Sequence, residues 1–457
     1  MFSKFIKIEK EYPVEEIEHN NEKCWEYLRA YYINKSIGFN FYSKHKQNKN
    51  TKLGNYFSLL KQSLYGFRNW FRRYDYIAFS NLSRVRSIEN IDIDVNLDVI
   101  IKKLGYNKSL YIDSSDISYK SLNTKYNIVH LSLIKLFIKI SSLLYSKKVK
   151  RISILEEINK NEQVDVDYIN IIHHFKRSVF VYKILFKIYK PKAIFSYCYT
   201  CGMQAAIKAA NDLGIPTIEF QHGIIGKKHP SYNFYKKVDN SYYPKTLLTF
   251  GEYDTKILSN NIYNPFENIV PIGRHSLELI KQQKIAKELL ELKKKYNKIV
   301  SISPVDNVED LMANFIKKIA QEYNNTLFIF SLRFYSKDYY TKFDLPENVL
   351  LYKEEFTCYD ILKVSDIHMT FNSTCAIEAL FFRKPTILLD IDGLARDSSL
   401  SEIKSKNIYF ISKPNEFEKY LNIKYIFEKD NEIYSQNHEK LLDDFLTENL
   451  LLDKKAN

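Results

Sequence analysis

The sequence predicts an α/β protein made of two successive blocks of parallel sheet. Three observations carry this expectation. At 457 residues the chain exceeds one ordinary core. From about residue 190 onward, short apolar runs alternate with helical patterns. That alternation is interrupted once, near residue 275, and then resumes. Strands that alternate with helices pair in parallel through right-handed crossovers.

The first 70 residues are rich in aromatic and charged side chains and show no assignable pattern. "YDYIAFSN" (74–81) and "SLYID" (109–113) read as strands. "SRVRSIENIDIDVNLD" between them, with Arg84 and Arg86, reads as a polar loop. In "VHLSLIKLFIKISSLLY", Val129 to Tyr145, the polar positions Ser132, Lys135, Lys139 and Ser142 step by three and four. This predicts a helix with one narrow polar stripe, packed deep in the first domain. The alternative is an interfacial helix in peripheral contact with acidic membrane lipid. A long helix is expected from about Val166 to Tyr189, closed by Pro191.

The regular series then begins. "AIFSYC" is a strand, "MQAAIKAANDLG" a helix, "TIEFQ" a strand, "TLLTFG" a strand followed by a helix, and "IVPIG" a strand. Gly214-Ile215-Pro216 stops one helix and starts the next strand. A single charged helix, "SLELIKQQKIAKELLELKKKY", leads into the second series. There "KIVSISPV", "TLFIFSLRF", "VLLYKE", "DIHMTF", "PTILLDI" and "IYFIS" read as strands, with helices at "EDLMANFIKKIAQEY", "CYDILKVS" and "CAIEALFF". The expected domains are 1–274 (1–70 unassigned), 275–430, and a helical tail, 431–457, packing back on the first domain.

A formal charge of +14 favours an acidic partner such as a nucleotide, a phosphorylated substrate or anionic lipid. The basic residues are spread along the chain and match no nucleic-acid-binding motif, so no nucleic acid is expected. Cys24, Cys198, Cys201, Cys358 and Cys375 form no disulfide framework, and a reducing compartment follows. The N-terminus lacks an apolar signal region and no uncharged run is long enough to cross a bilayer. The expected location is the cytoplasm or the inner face of the cell membrane.

In open α/β sheets ligands bind at the carboxyl ends of strands. Two strand ends carry candidate chemistry. In "TIEFQHG", Thr217, Glu219 and Gln221 share one face of the strand. His222 falls just past its end, and Gly223 permits a tight reversal or a close backbone approach. The imidazole is placed to act as a general base or as a hydrogen-bond donor to a phosphate. Lys227, Lys228 and His229 add positive charge to the same loop. In "DIHMTFNSTCAIEALFFRKPTILLD", Asn372-Ser373-Thr374 opens a helix. Hydroxyl caps and free backbone N–H groups there suit a phosphate. Glu378, one turn in, is placed for ribose hydroxyls.

Other features read as structural. Cys198 and Cys201, with His222 and His229, would supply four zinc ligands, but no second CxxC or tight HxxxH supports a tetrahedral site, and no metal is expected. "DIDVNLD" (92–98) lacks the glycine and terminal glutamate of a calcium loop and reads as a solvated loop. His275 and His368 read as structural, and "DIDG" (390–393) as a turn.

The order of "PKAIFSYCYTCGMQAAIKAANDLGIPTIEFQHG", "YYPKTLLTFGEYD", "VPIGRHSLE" and "VSDIHMTFNSTCAIEALFFRKPTILLD" resembles GT-B bacterial surface-polysaccharide glycosyltransferases with a Gln-His-Gly strand end. These group with the Kdo- and sialic-acid-transferring enzymes of capsule and lipooligosaccharide synthesis. The resemblance covers 190–415 well and 73–113 weakly. It implies an α/β fold of two Rossmann-like domains facing across a cleft. Gln221, His222 and Gly223 would line that cleft, with Lys228 and His229 nearby. Asn372, Ser373 and Thr374 would hold the donor phosphate, Glu378 the ribose, and Gly273 the hinge. Relatives carry a basic residue and a His-Pro pair after the strand that here reads "TLFIFSLRF". This chain has Arg333 and no histidine there, so either Arg333 substitutes or the donor differs.

The implied reaction is a direct, metal-independent displacement. A CMP- or UDP-sugar donor would transfer its sugar to a glycan or lipid-linked glycan acceptor. His222 is the expected base, with Glu219, Asp92 and Asp94 as carboxylate alternatives. No cofactor is expected, because the nucleotide-sugar is a substrate. The competing readings are a CDP-polyol phosphotransferase or nucleotide-sugar epimerase of the same fold, and a non-catalytic basic scaffold of a polysaccharide assembly complex.

Overall fold

The structure is a computed structural model. It describes residues 3–36, 60–82, 85–88, 90–115, 122–142, 149–200, 202–227, 229–305, 308–333, 335–353, 355–427, 433–435 and 437–449. Lys228, Cys201 and Arg84 lie outside the described residues. The chain divides into two units. The first takes the residues up to His222, His229–Gly273, and those from Ser435 onward. The second takes the described part of Gly223–Lys228 and Arg274–Tyr434.

The first unit begins with α1 (Ser3–Glu11) and α2 (Trp25–Ser36), the region that shows no pattern in the sequence. Its buried centre is an ion pair. Arg29 Nε and Nη2 donate to Glu9 Oε1 and Oε2 at 2.5 and 2.9 Å, and Trp25 Nε1 donates to Oε1 at 2.9 Å. Seven parallel strands follow: β1 (Tyr76–Ser80), β2 (Ser109–Asp113), β3 (Asn127–His130), β4 (Ala193–Ser196), β5 (Thr217–Phe220), β6 (Thr246–Thr249) and β7 (Asn268–Pro271). Their order across the sheet is β7-β6-β5-β4-β1-β2-β3. The helices that position the site are α3 (Ser132–Ser141), α4 (Tyr168–Tyr189), α5 (Gln204–Asn211) and α6 (Glu252–Ser259). Asp167 caps α4 through the Asn170 N–H, and Lys190, at φ 50°, ends it before Pro191.

The second unit is a six-stranded parallel sheet: β8 (Lys298–Ser303), β9 (Thr326–Ser331), β10 (Val349–Tyr352), β11 (Ile367–Thr370), β12 (Thr386–Leu389) and β13 (Ile408–Ile411). Its order is β10-β9-β8-β11-β12-β13. One face of β8, β9 and β11 packs Ile302, Phe330 and Met369 against Met312, Ile316 and Ile319 of α7 (Glu309–Glu322). The other face packs Ile299 and Ile329 on Ile361 and Val364 of α8 (Cys358–Val364). Strands buried on both faces explain their unbroken apolar runs. After α9 (Cys375–Phe381) and the last strands, the chain returns to the first unit. There α10 (His438–Glu448) sinks Leu442, Phe445 and Leu446 into the core against the sheet. Gly273, at φ +80°, lies under this return. A Cβ there would stand 2.8 Å from the Ser435 carbonyl and 2.9 Å from His438 Cβ.

Four local expectations are corrected. The expected loop around 85–94 is an antiparallel hairpin, Val85–Ile88 with Ile91–Asp94. The alternation of Ile91-Asp92-Ile93-Asp94 is a strand signal that polarity alone hides. Nor is its acidic cluster solvated. Asp94 and Asp98 are buried, Asp94 accepting from Ser80 Oγ at 2.5 Å and Asp98 from Tyr126 OH at 2.7 Å. The expected single charged helix is two, His275–Gln282 and Lys287–Lys295, parted where Gln283 turns extended. The stretch from Val129 splits between β3 and α3, and α3 is not packed deep: Phe137 and Ile140 are exposed.

Candidate functional site

Each unit offers one strand-end site. Both sheets change direction at a topological switch point, between β1 and β4 in the first and between β8 and β11 in the second. Such points place the chain's loops around a crevice at the strands' carboxyl ends.

In the first unit the site is built around Glu219 of β5. Its carboxylate is 0% exposed and accepts from the Tyr199 backbone N–H at 2.9 Å and from Tyr232 OH at 2.6 Å. Burial pushes its pKa up to about 8; Cys198 adds to the rise, and the bonds from Tyr232 and Tyr199 and the nearby His222 oppose it. At neutral pH it therefore largely keeps its proton. Glu219 has no accessible surface from which to take a proton from a ligand; it orients the groups above it.

Gln221 is also buried and braced. Its Nε2 donates to Asp254 Oδ2 of α6 at 2.8 Å, and its Oε1 accepts from the Phe250 N–H at 2.6 Å. The glutamine thus ties the end of β5 to the β6–α6 turn, which explains its pairing with Asp254 in "TFGEYD". His222, by contrast, is half-buried, with its ring edge-on to Tyr197 at 6.1 Å. His229 stands 5.2 Å from the Tyr232 ring. Burial, then His222, lowers its pKa to about 4, so it is neutral at pH 7. Its carbonyl accepts from Asn233 Nδ2, and the Asn233 carbonyl accepts from Arg29 Nη2. The unassigned N-terminal helices therefore support the loop that carries His229.

Gly223 belongs to the second unit, beside Thr374: a Cβ on it would lie 3.8 Å from Thr374 Oγ1. That is ordinary contact, and its φ is not left-handed; the chain bends at this residue. The glycine that needs to lack a side chain is Gly226, where a Cβ would meet Ser399 Cβ at 2.3 Å. The Lys227 N–H donates to Glu402 Oε2 at 2.7 Å.

In the second unit, Thr370 Oγ1 donates to the Ser303 carbonyl at 2.8 Å and joins the two switch-point strands. Asn372 is exposed and Ser373 and Thr374 half-buried. Thr374 already has helical backbone and makes no capping bond; Ser373 Oγ accepts from the Cys375 N–H at 3.2 Å. Glu378 is buried. Its Oε1 accepts from Arg274 Nη1 and from Tyr359 OH, the latter at 3.2 Å. The Arg274 and Glu378 side chains are only 8% and 5% exposed. Arg333 is exposed beyond the end of β9.

Among the described residues, one trio of potential metal ligands converges. The donor atoms of Cys358, Cys375 and Glu378 lie within 4.8 Å of one another, although Arg274 already occupies Glu378. Cys198, His222 and His229 form no such group. His368 is structural, bonded to Ser301 Oγ at 3.0 Å, and Asp390 accepts from Arg396 in its turn. Sequence reading missed Arg29, Tyr199, Tyr232, Asp254, Arg274 and Tyr359. "IGRH" directly after a strand was the available signal for Arg274.

No protein-family model matches the chain, and no curated protein matches it significantly. Solved structures do. S. aureus MnaA in complex with UDP aligns with a TM-score of 0.51 at 13% identity, over 84% of this chain and 99% of that one. UDP-GlcNAc 2-epimerase from Neisseria meningitidis bound to UDP-GlcNAc gives 0.49 at 14%, over 82% and 99%. The UDP-forming α,α-trehalose-phosphate synthase from Burkholderia vietnamiensis gives 0.46 at 9%, over 83% and 100%. The first of these likenesses defines a class of fold. The chain has the GT-B type, two Rossmann-like α/β units in succession.

Proposed function

We propose that this protein is a glycosyltransferase that moves a sugar from a nucleotide-activated donor, a CMP- or UDP-sugar, to a hydroxyl of a bacterial surface glycan, free or lipid-linked. The observation that supports it best is the second unit's switch point. There the Asn372-Ser373-Thr374 turn sits at the end of β11, with the Arg274–Glu378–Tyr359 cluster one helical turn away. The half-buried hydroxyls of Ser373 and Thr374 are polar partners for a diphosphate or phosphodiester, and Glu378 for a ribose. The S. aureus structure of the same fold holds UDP, one of the two nucleotides proposed. Arg333 supplies a further positive charge.

In this reading His222 accepts the proton of the acceptor hydroxyl. The hydroxyl oxygen bonds to the anomeric carbon as the bond from that carbon to the phosphate oxygen breaks. The nucleotide leaves with the bonding pair, its charge met by the N–H and O–H donors of the turn. The resemblance of "TIEFQHG" and its companions to Kdo- and sialic-acid-transferring enzymes supports a surface-polysaccharide acceptor.

The test is a thermal-shift panel of CMP, CDP, UDP and GDP, followed by product analysis with the matching nucleotide-sugars and a surface-glycan acceptor. Stabilisation by CMP or UDP and acceptor-dependent release of that nucleotide are expected. Conversion of the donor to its epimer without acceptor, or no response to any nucleotide, would overturn the proposal.

A further inference from the structure

The first unit carries a cluster of outward-facing apolar side chains that its core does not use. On α4, Phe180, Ile184 and Ile188 recur every four residues along one ridge, and Ile188 is 72% exposed. On α3, Phe137 and Ile140 are exposed. Both helices belong to the crossover from β3 to β4, so they lie on one side of the sheet. A third segment joins them. Leu60, Leu64, Phe67 and Phe71 are exposed, Phe71 at 75%. That segment is bonded to the same neighbours: Ser132 Oγ to Gln62 at 2.9 Å, Asn69 to the Ile128 carbonyl at 3.0 Å, and Tyr189 OH to the Trp70 carbonyl.

The charges among these side chains have one sign. Residues 60–73, 132–142 and 168–190 contain no Asp or Glu, although the chain has 54. Lys61, Arg68, Arg72, Arg73, Lys187 and Lys190 are exposed beside the apolar groups. Lys135 and Lys139 add to them on α3.

We propose that this face docks on the surface of an anionic lipid bilayer, with Phe and Ile side chains entering the headgroup–acyl boundary and Lys and Arg meeting lipid phosphates. The chemistry selects this occupant. A second copy placed symmetrically would set like charges against like. A nucleic acid would meet the cations but give Ile140, Ile184 and Ile188 no apolar medium. No helix among the described residues is long and apolar enough to cross a membrane, so this is surface contact. The proposal stands independently of the sugar-transfer reading.

The test is sedimentation of the full chain with phosphatidylcholine vesicles, with and without about one quarter phosphatidylglycerol. Binding to the anionic vesicles only, weakened by about 0.5 M salt, is expected. Ile184→Ser with Ile188→Ser, and separately Arg68→Glu with Lys187→Glu, should each weaken partitioning roughly tenfold or more without lowering the melting temperature. The charge pair decides if the apolar pair alters folding. No partitioning by the wild-type chain, or partitioning by both variants equal to that of wild type, would overturn the proposal. So would a vesicle-free dimer that the variants abolish, which would assign the face to a second copy.

Discussion

The two units share one strand order over six strands, the first adding a seventh at its edge, but use their strand ends differently. In the first, the groups at the end of β5 are buried and mutually bonded: Glu219 to Tyr199 and Tyr232, Gln221 to Asp254, and Arg29 to Asn233. His222 and His229 are half-buried beside that network. In the second, Asn372, Ser373 and Thr374 stay open, and one buried ion pair, Arg274–Glu378, lies beside them. The first arrangement braces the loop that carries two imidazoles. The second keeps several hydrogen-bonding groups available. A shared topology thus sets where chemistry can occur, and local burial sets what kind.

The comparison breaks hardest at the second unit's ion pair. Glu378→Ala leaves a buried guanidinium without its carboxylate and should cost about 3–5 kcal/mol. Glu378→Gln should cost less while still weakening nucleotide binding. Urea melts with and without nucleotide separate the two effects. If Glu378→Ala is as stable as wild type, the pair is not the buried brace described.

The next largest effect is a pH dependence at the first unit's strand end. Glu219 binds a proton up to about pH 8 when folded, against 4.5 for an ordinary glutamate. Its contribution to stability therefore falls as pH rises from 4.5 to 8. His229 acts oppositely. Its folded pKa is about 4 against 6.5, so stability is lost as pH falls through that window. Of these two groups, only Glu219 acts between pH 6.5 and 8. There, Glu219→Gln should gain on wild type by an amount on the order of 1–2 kcal/mol, whatever constant offset the amide introduces. Parallel stability curves would mean the carboxyl is ionised throughout. His222→Ala should lower transfer by at least about 100-fold and leave the melting temperature unchanged. Wild-type turnover in that variant would remove its role as base.

The sequence showed the two series of alternating elements, because a strand buried on both faces is a continuous apolar run. Both strand ends, "FQHG" and "FNST", were legible for the same reason. What lay hidden depends on contacts distant in sequence. Nothing local reveals that Gln221 meets Asp254, that Arg274 meets Glu378 one hundred and four residues on, or that Arg29 holds the Asn233 carbonyl. The hairpin at 85–94 was missed because its charges outweighed its alternation. The apolar stripe of α4 was missed because a helix's period does not say which side the core will take.

The smallest expected effect sharpens the division between bracing and binding. The Ser373 hydroxyl accepts from the Cys375 N–H at 3.2 Å, at the start of a helix of only seven residues. Losing it in Ser373→Ala should cost about 0.5–1 kcal/mol of stability. If the hydroxyl also contacts a donor phosphate, nucleotide affinity should fall by more than this capping loss accounts for, because capping is lost in the free and bound protein alike. Calorimetric titration of CMP or UDP against both proteins measures the difference directly. Equal affinities would leave Ser373 a cap and move the phosphate contacts to Thr374 and the backbone. A clear loss of affinity at nearly constant stability would mark the open strand end as a binding surface, unlike its bonded counterpart in the first unit.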